Sequence, residues 1–83
     1  MIATRLEWPK RPKVTWDRLF LCRRKTWRDR ESGYMITCIP DVLPGELALH
    51  FPRWACRLPK RFRSLKAAMR WAQRHRNGAF DHE

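Results

Sequence analysis

Residues 58–78, "LPKRFRSLKAAMRWAQRHRNG", contain the most regular pattern in the chain and predict a helix near its C-terminal end. Ser64 is a suitable N-cap, and Asn77-Gly78 is a typical helix end. Four apolar residues recur at helical spacing on one face: Leu65, Ala68, Met69 and Ala72. The segment therefore predicts an amphipathic helix that covers another layer of the domain with this face.

The residues before the helix predict strands. "YMITCI" (34–39) is rich in strand formers, and "LALHF" (47–51) alternates apolar and other residues. Between them, "LPGE" (43–46) predicts a type II turn. "RWACRL" (53–58) also alternates, but its apolar phase is shifted by one residue, with Pro52 in the gap. A third strand with a bulge at Pro52, or one split there, explains the shift.

The stretch "VTWDRLFLCRRKTW" (14–27) fits two structures. As a helix capped by Thr15, it groups several large apolar residues on one side. As a strand, it forms a hairpin with 34–39, closed by "RDRESG" (28–33), and we favour this alternative.

The predicted fold is α+β: a small antiparallel three-stranded sheet, its third strand intact or split at Pro52, packed by one C-terminal helix. We expect one domain over 14–76, preceded by a basic flexible arm (1–13) and followed by a C-terminal tail (77–83).

Charge is the strongest indication of function. The chain has 83 residues, a net charge of +11 and a pI near 11.1, and 14 of its 19 basic residues are arginine. Such a surface attracts polyanions, and arginine suits contacts to phosphates and base edges. The basic residues are absent from 31–52 and crowd the segments on either side. We therefore expect a nucleic-acid partner before an acidic protein.

Other classes of protein are not expected. The apolar runs are too short to cross a membrane, and the N-terminus lacks the apolar centre of a secretory signal, so we expect a cytoplasmic protein without a membrane partner. The glycines are isolated, and no catalytic constellation is visible. The three cysteines are widely spaced, without a C-x-x-C pair. We predict no enzyme activity, no catalytic residue, no cofactor and no metal site.

Two segments carry the predicted nucleic-acid-binding residues. The first, "CRRKTWRDR" (22–30), places basic side chains around an aromatic ring, which can grip phosphates while the ring packs on sugar or base. Its alternative is that Trp27 belongs to the core and the charges are merely solvated. The candidates in this segment are Arg23, Arg24, Lys25, Trp27, Arg28 and Arg30.

The second segment is "RWACRLPKRFR" (53–63), where alternation directs two arginines to the outer face of the sheet. An ordinary polar outer face is the alternative. The candidates are Arg53, Arg57, Lys60, Arg61 and Arg63. One continuous face shared by Arg23, Arg24, Arg53 and Arg57 would support groove binding, and scattering of the four around the surface would remove most of that support.

The order of elements resembles a group of small double-stranded-DNA-binding modules: the arm-binding domains of tyrosine recombinases, the plant AP2-type domains and the CedA-type cell-division activators. The closest local similarity, to the CedA type, lies in the spacing of Phe62, Ala68, Arg70, Trp71 and Ala72. In the first two families the helix is scaffolding and the three-stranded sheet enters the major groove. The resemblance implies the same arrangement here.

The sequence thus predicts a small non-enzymatic protein that binds nucleic acid, duplex DNA before RNA, through an arginine-rich sheet face and hairpin. The alternative is a small regulator or inhibitor of the phage or mobile-element type, docking its basic face on an acidic surface of a host protein complex.

Overall fold

A computed structural model describes residues 6–76. The strands are β1 (Lys13–Asp17), β2 (Cys22–Arg28), β3 (Met35–Cys38), β4 (Leu47–His50) and β5 (Lys60–Phe62), with a 3-10 turn at Arg53–Ala55 and helix α1 at Leu65–Arg74. The strands form one antiparallel sheet whose spatial order is the chain order. The α+β class, the antiparallel sheet and the C-terminal helix are confirmed. The number of strands is five, so the prediction of three was wrong.

The first additional strand comes from the stretch 14–27, which is a hairpin in itself. The chain reverses at 18–21, where one carboxylate oxygen of Asp17 accepts hydrogen bonds from the amides of Leu19 and Phe20, both at 2.9 Å. The segment "RLFL" contains no glycine, proline or asparagine, so it lacks the usual signals of a turn. The strand alternative was therefore right for most of the residues, but it missed the reversal.

The predicted strand over 53–58 does not form. Pro52 is buried and packs beside Gly33, so that a Cβ on this glycine would lie 3.1 Å from the proline Cβ. The chain leaves the sheet there, and the amides of Ala55 and Cys56 bond backward to the carbonyls of Pro52 and Arg53. The alternating residues 53–58 therefore form no backbone hydrogen bonds of a sheet. The fifth strand, Lys60–Phe62, lies in the lead-in to the helix.

Helix α1 packs on β4 and β5. The Ser64 hydroxyl accepts a hydrogen bond from the Ala67 amide at 3.3 Å, which confirms the predicted N-cap. Ala68 and Ala72 are fully buried, and their small side chains let the helix approach the sheet closely. Trp27, Ile36 and Leu49 complete the centre of the core, together with Leu6 and Tyr34. The predicted helix end, Asn77-Gly78, lies outside the described residues.

The segment before β1 is attached to the domain. Leu6 is buried, and its amide donates a hydrogen bond of 2.8 Å to the side-chain oxygen of Gln73 on the helix. The amide of Glu7 donates to the buried carboxylate of Asp29, also at 2.8 Å. Residues 6–13, assigned above to a flexible arm, therefore cross the domain, and Lys13 already belongs to β1. The rest of that arm (1–5) and the tail (77–83) lie outside the described residues.

In the described part of the chain, no helix combines the length and apolar character needed to span a bilayer.

Candidate nucleic-acid interface

The sheet has two unlike faces, which follow from its register. Trp27, Ile36 and Leu49 are aligned across β2, β3 and β4 and pack with the helix, so they define the helix-side face. Side chains alternate along each strand, so their neighbours point to the opposite side. We call that opposite side the open face. Its residues are Lys13, Thr15, Asp17, Cys22, Arg24, Thr26, Arg28, Met35, Thr37, Ala48, His50 and Arg61.

The open face is concave. One groove, of about 570 Å³, is lined by residues of β1, β2 and β3, including Lys13 and Arg28. Arg11 and Arg30, which lie outside the strands, also border it. A second, of about 420 Å³, lies toward β4 and β5 and includes His50 and Arg61. Arg24 and Thr37 line both grooves, so the two adjoin. Together they form one surface depression that runs across the sheet.

The charge of this depression is strongly positive. Among the strand residues of the open face, one is acidic, Asp17, and it forms an ion pair with Arg24. The hydrogen bond from the Phe20 amide, more than the nearby Arg24 guanidinium, lowers the pKa of this carboxyl. Asp17 is thus ionised at neutral pH. Its carboxylate accepts the amides of the turn and pairs with the guanidinium of Arg24. Glu46 lines the end of the depression toward β4 and β5. Among residues 6–76, five basic residues of the depression form no ion pair with an acidic side chain: Arg11, Lys13, Arg28, Arg30 and Arg61.

Uncharged hydrogen-bonding groups lie between these cations. The hydroxyl of Thr37 and Nε2 of His50 are 2.8 Å apart. Burial, assisted by the charge of Arg24, lowers the pKa of His50, so its ring is neutral at pH 7. Thr15 and Thr26 lie on the same face. Hydroxyl and imidazole groups surrounded by cations can hydrogen-bond base edges while the cations hold phosphates.

The first predicted segment is divided by the alternation of β2. Arg24 and Arg28 lie on the open face, and Arg30 borders it. Arg23 and Lys25 lie on the other side of the sheet, both exposed. Trp27 is buried in the core, which agrees with the alternative interpretation of this residue.

The second segment contributes one residue to the open face, Arg61. The guanidinium of Arg57 lies 5.4 Å from the ring centre of Phe51, and the ammonium of Lys60 lies 5.7 Å from that of Trp71. These two cations thus lie against the rings of Phe51 and Trp71, which contact each other.

Of the remaining basic residues, Arg53 lies in the 3-10 turn, and Arg63 lines a small pocket beside the 42–46 loop. The four arginines at positions 23, 24, 53 and 57 therefore do not share one face. Groove binding by this set of residues loses its support, and only Arg24 of the four lies on the open face.

Sequence reasoning missed several residues of the depression. Thr37 and His50 had no signal, because their alignment depends on the register of β3 and β4. Arg11 and Lys13 were recognised as basic residues of the arm, but not as neighbours of the sheet face. Asp17 had a recognisable signal, since aspartate commonly accepts amides of a following turn.

No thiol of the sheet is chemically activated. Burial raises the pKa of the thiols of Cys22 and Cys38, which keeps both protonated at neutral pH. Within residues 6–76, no group of three histidine, cysteine or acidic side chains is placed to hold a metal ion.

Comparison of the chain with protein-family models, with curated proteins and with solved structures finds no match.

Proposed function

We propose that the protein binds duplex nucleic acid, DNA before RNA, on the open face of its sheet, without catalysing a reaction. The observation that carries the proposal is the basic depression, which lies opposite the helix and spans all five strands. The major groove of B-DNA, about 12 Å wide, admits a two-stranded ribbon such as the β1–β2 hairpin, and sheets also dock in the minor groove. Helix α1 then serves as scaffold, on the side of the sheet away from the nucleic acid.

The charge arrangement favours a polyanion over a small ligand. The five basic residues that form no ion pair within the described part of the chain are spread across the depression and do not converge on one point. Each phosphate contact releases counterions, which contributes about −0.9 to the slope of log affinity against log salt. Five contacts therefore predict a slope between about −4 and −5.

The first experiment is a salt series with a labelled duplex of mixed sequence, with single-stranded RNA and duplex RNA as competitors. We expect affinity to fall steeply between low and physiological salt, and duplex DNA to compete best. Absence of binding, or a slope near zero, would contradict the proposal. Stronger competition by RNA would indicate that the partner is RNA and not DNA.

A pair of matched double variants localises the site. Arg28→Gln with Arg61→Gln removes two charges from the open face, and Lys66→Gln with Arg70→Gln removes two from the exposed side of the helix. The first pair should reduce the magnitude of the salt slope by about 2, and the second should leave it nearly unchanged. Equal changes of the slope would show that binding depends on the total charge and not on the open face.

A second candidate function is docking on an acidic surface of a host protein complex, as a small regulator. It is favoured by exposed apolar residues on the helix-side face of the hairpin, Val14 and Trp16. Retention of a stoichiometric protein partner after nuclease treatment, together with weak binding to DNA, would support this candidate over the first.

A further inference from the structure

The tip of the β1–β2 hairpin has an unusual surface. Leu19, Phe20 and Leu21 follow one another in the turn, and their exposed fractions are 82%, 42% and 71%. Hairpin turns are ordinarily built from glycine, asparagine, aspartate and other polar residues. A cluster of large apolar side chains at an exposed tip is more typical of a contact surface.

The tip is held in a defined conformation. The Asp17 carboxylate binds the amides of Leu19 and Phe20, each at 2.9 Å, and is fastened by Arg24 from the neighbouring strand. Asp17 is itself buried, with 8% of its surface exposed. The apolar side chains are thus presented on a constrained turn, which lowers the entropy lost when they enter a partner.

Leu21 has a backbone conformation that a leucine rarely adopts. Its φ is +54°, in the left-handed region where glycine or asparagine is favoured. The exposed side chain buries little surface that would offset this strain. A strained residue kept without a packing benefit points to a functional role of its side chain.

The surroundings of the tip indicate what it contacts. Between residues 13 and 28 there is one acid, Asp17, and there are six basic residues. The two strands that carry the tip also carry Lys13, Arg24 and Arg28 of the open face. An anionic molecule bound on that face would reach the tip along the same two strands. A second copy of this chain, with its net charge of +11, would instead be repelled.

We propose that Leu19, Phe20 and Leu21 form an apolar wedge that inserts into a base step of the duplex DNA bound on the open face. Inserted phenylalanine and leucine side chains unstack base pairs and bend the duplex, at a cost of about a few kcal/mol per step. Easily unstacked pyrimidine–purine steps and mismatched pairs are therefore the preferred sites. This inference rests on the proposed function and adds to it a distortion of the bound DNA.

The test uses the full chain and two labelled duplexes. One carries 2-aminopurine, whose fluorescence rises when it is unstacked, beside a TA step; the other carries a donor and an acceptor dye at its ends. We expect binding to increase both the fluorescence and the energy transfer. Affinity for a duplex with one mismatch should exceed that for the paired duplex by about tenfold, because a mismatched base is cheaper to unstack.

Three variants locate the effect. Leu19→Ser with Phe20→Ser and Leu21→Asn removes the wedge without changing the charge. It should keep the salt slope but lose the fluorescence change and the preference for the mismatch. The single variant Leu21→Asn suits the backbone at this position, so it keeps the test valid if the triple variant fails to fold. The control, Val42→Ser, replaces an exposed apolar residue of another loop and should behave as the unaltered protein.

The outcomes separate the two proposals. Duplex binding with no fluorescence change and no bending overturns the wedge and leaves the proposed function standing. Absence of duplex binding overturns both. Insertion of the tip into anionic phospholipid vesicles, with no distortion of DNA, would assign it to a membrane surface and also overturn the wedge.

Discussion

The two ends of the sheet use the same kind of residue in opposite ways. On the helix-side face, Leu49 of β4 is fully buried under α1, whereas Trp16 of β1 is 62% exposed. Both residues belong to alternating strands on the same face, but the contacts of the helix with the sheet are concentrated on β4 and β5. An apolar residue in an alternating strand therefore predicts which face it occupies, and the covering element decides whether that face is core or surface.

The largest test of this comparison is a pair of truncations, Leu49→Ala and Val14→Ala. The first creates a cavity under the helix and should lower the free energy of unfolding by about 2–5 kcal/mol. The second shortens an exposed side chain at the other end and should change it by no more than about 0.5 kcal/mol. Urea unfolding of both variants measures the contrast. Similar losses would mean that the side chain of Val14 is packed against other residues of the domain.

A second test concerns the link between the two ends. Asp29 is buried and accepts hydrogen bonds from the amides of Glu7 and Ser32. Asp29→Ala should cost about 1–3 kcal/mol, because both amides lose their partner. It should also speed amide exchange in residues 6–12.

The control for that test is Asp41→Ala, which removes an equal charge from an exposed loop and should have little effect. Unchanged amide exchange at Glu7 in the Asp29 variant would contradict the anchoring role.

The third test separates stability from function in the hairpin. Leu21→Asn relieves the positive φ and should raise the free energy of unfolding by about 0.5–1 kcal/mol. Leu19→Asn, at a residue without a positive φ, serves as the control and should bring no gain. Thermal or chemical unfolding measures the difference. A loss of stability at position 21 would indicate that the leucine side chain is packed in the free protein.

The smallest expected effect is a pH dependence at the open face. The pKa of His50 is lowered from 6.5 in the folded protein, so below about pH 6.5 the unfolded chain binds a proton that the folded chain does not. This contribution to stability is complete above pH 6.5 and is lost as the pH falls toward the lowered pKa. We expect the free energy of unfolding, measured with urea at pH 7.5 and 5.5, to fall less between these pH values in His50→Gln than in the unaltered protein. An equal loss would assign the dependence to other groups.

Local signals explain what could be predicted. The helix followed from the spacing of Leu65, Ala68 and Ala72 and from the Ser64 cap, because both depend on neighbours within one or two turns. The pairing of the segments around residues 28–33 was likewise correct, since Trp27 and Ile36 are partners across β2 and β3. The hairpin reversal at 18–21 was missed, because these four residues include no glycine, proline or asparagine, and Asp17 before them was the one local turn signal.

The candidate site was predicted only in part for a similar reason. Arg24, Arg28 and Arg61 were named from the sequence, but so was Arg57, which covers Phe51 in the structure. An isolated sequence contains the charge of an arginine and not the face on which it lies. His50 and Thr37 meet because β3 and β4 pair in one register, and a shift of β4 by one residue would place His50 on the other face.

The amino-acid sequence by itself determined the high positive charge, the α+β class and the amphipathic helix, because composition and short-range periodicity carry this information. Only the tertiary structure decided that the sheet has five strands, that its basic residues divide between two faces, and that the apolar hairpin tip is exposed. These features depend on strand register and on the place where the helix packs. Both are contacts between residues far apart in the chain, which local patterns do not encode.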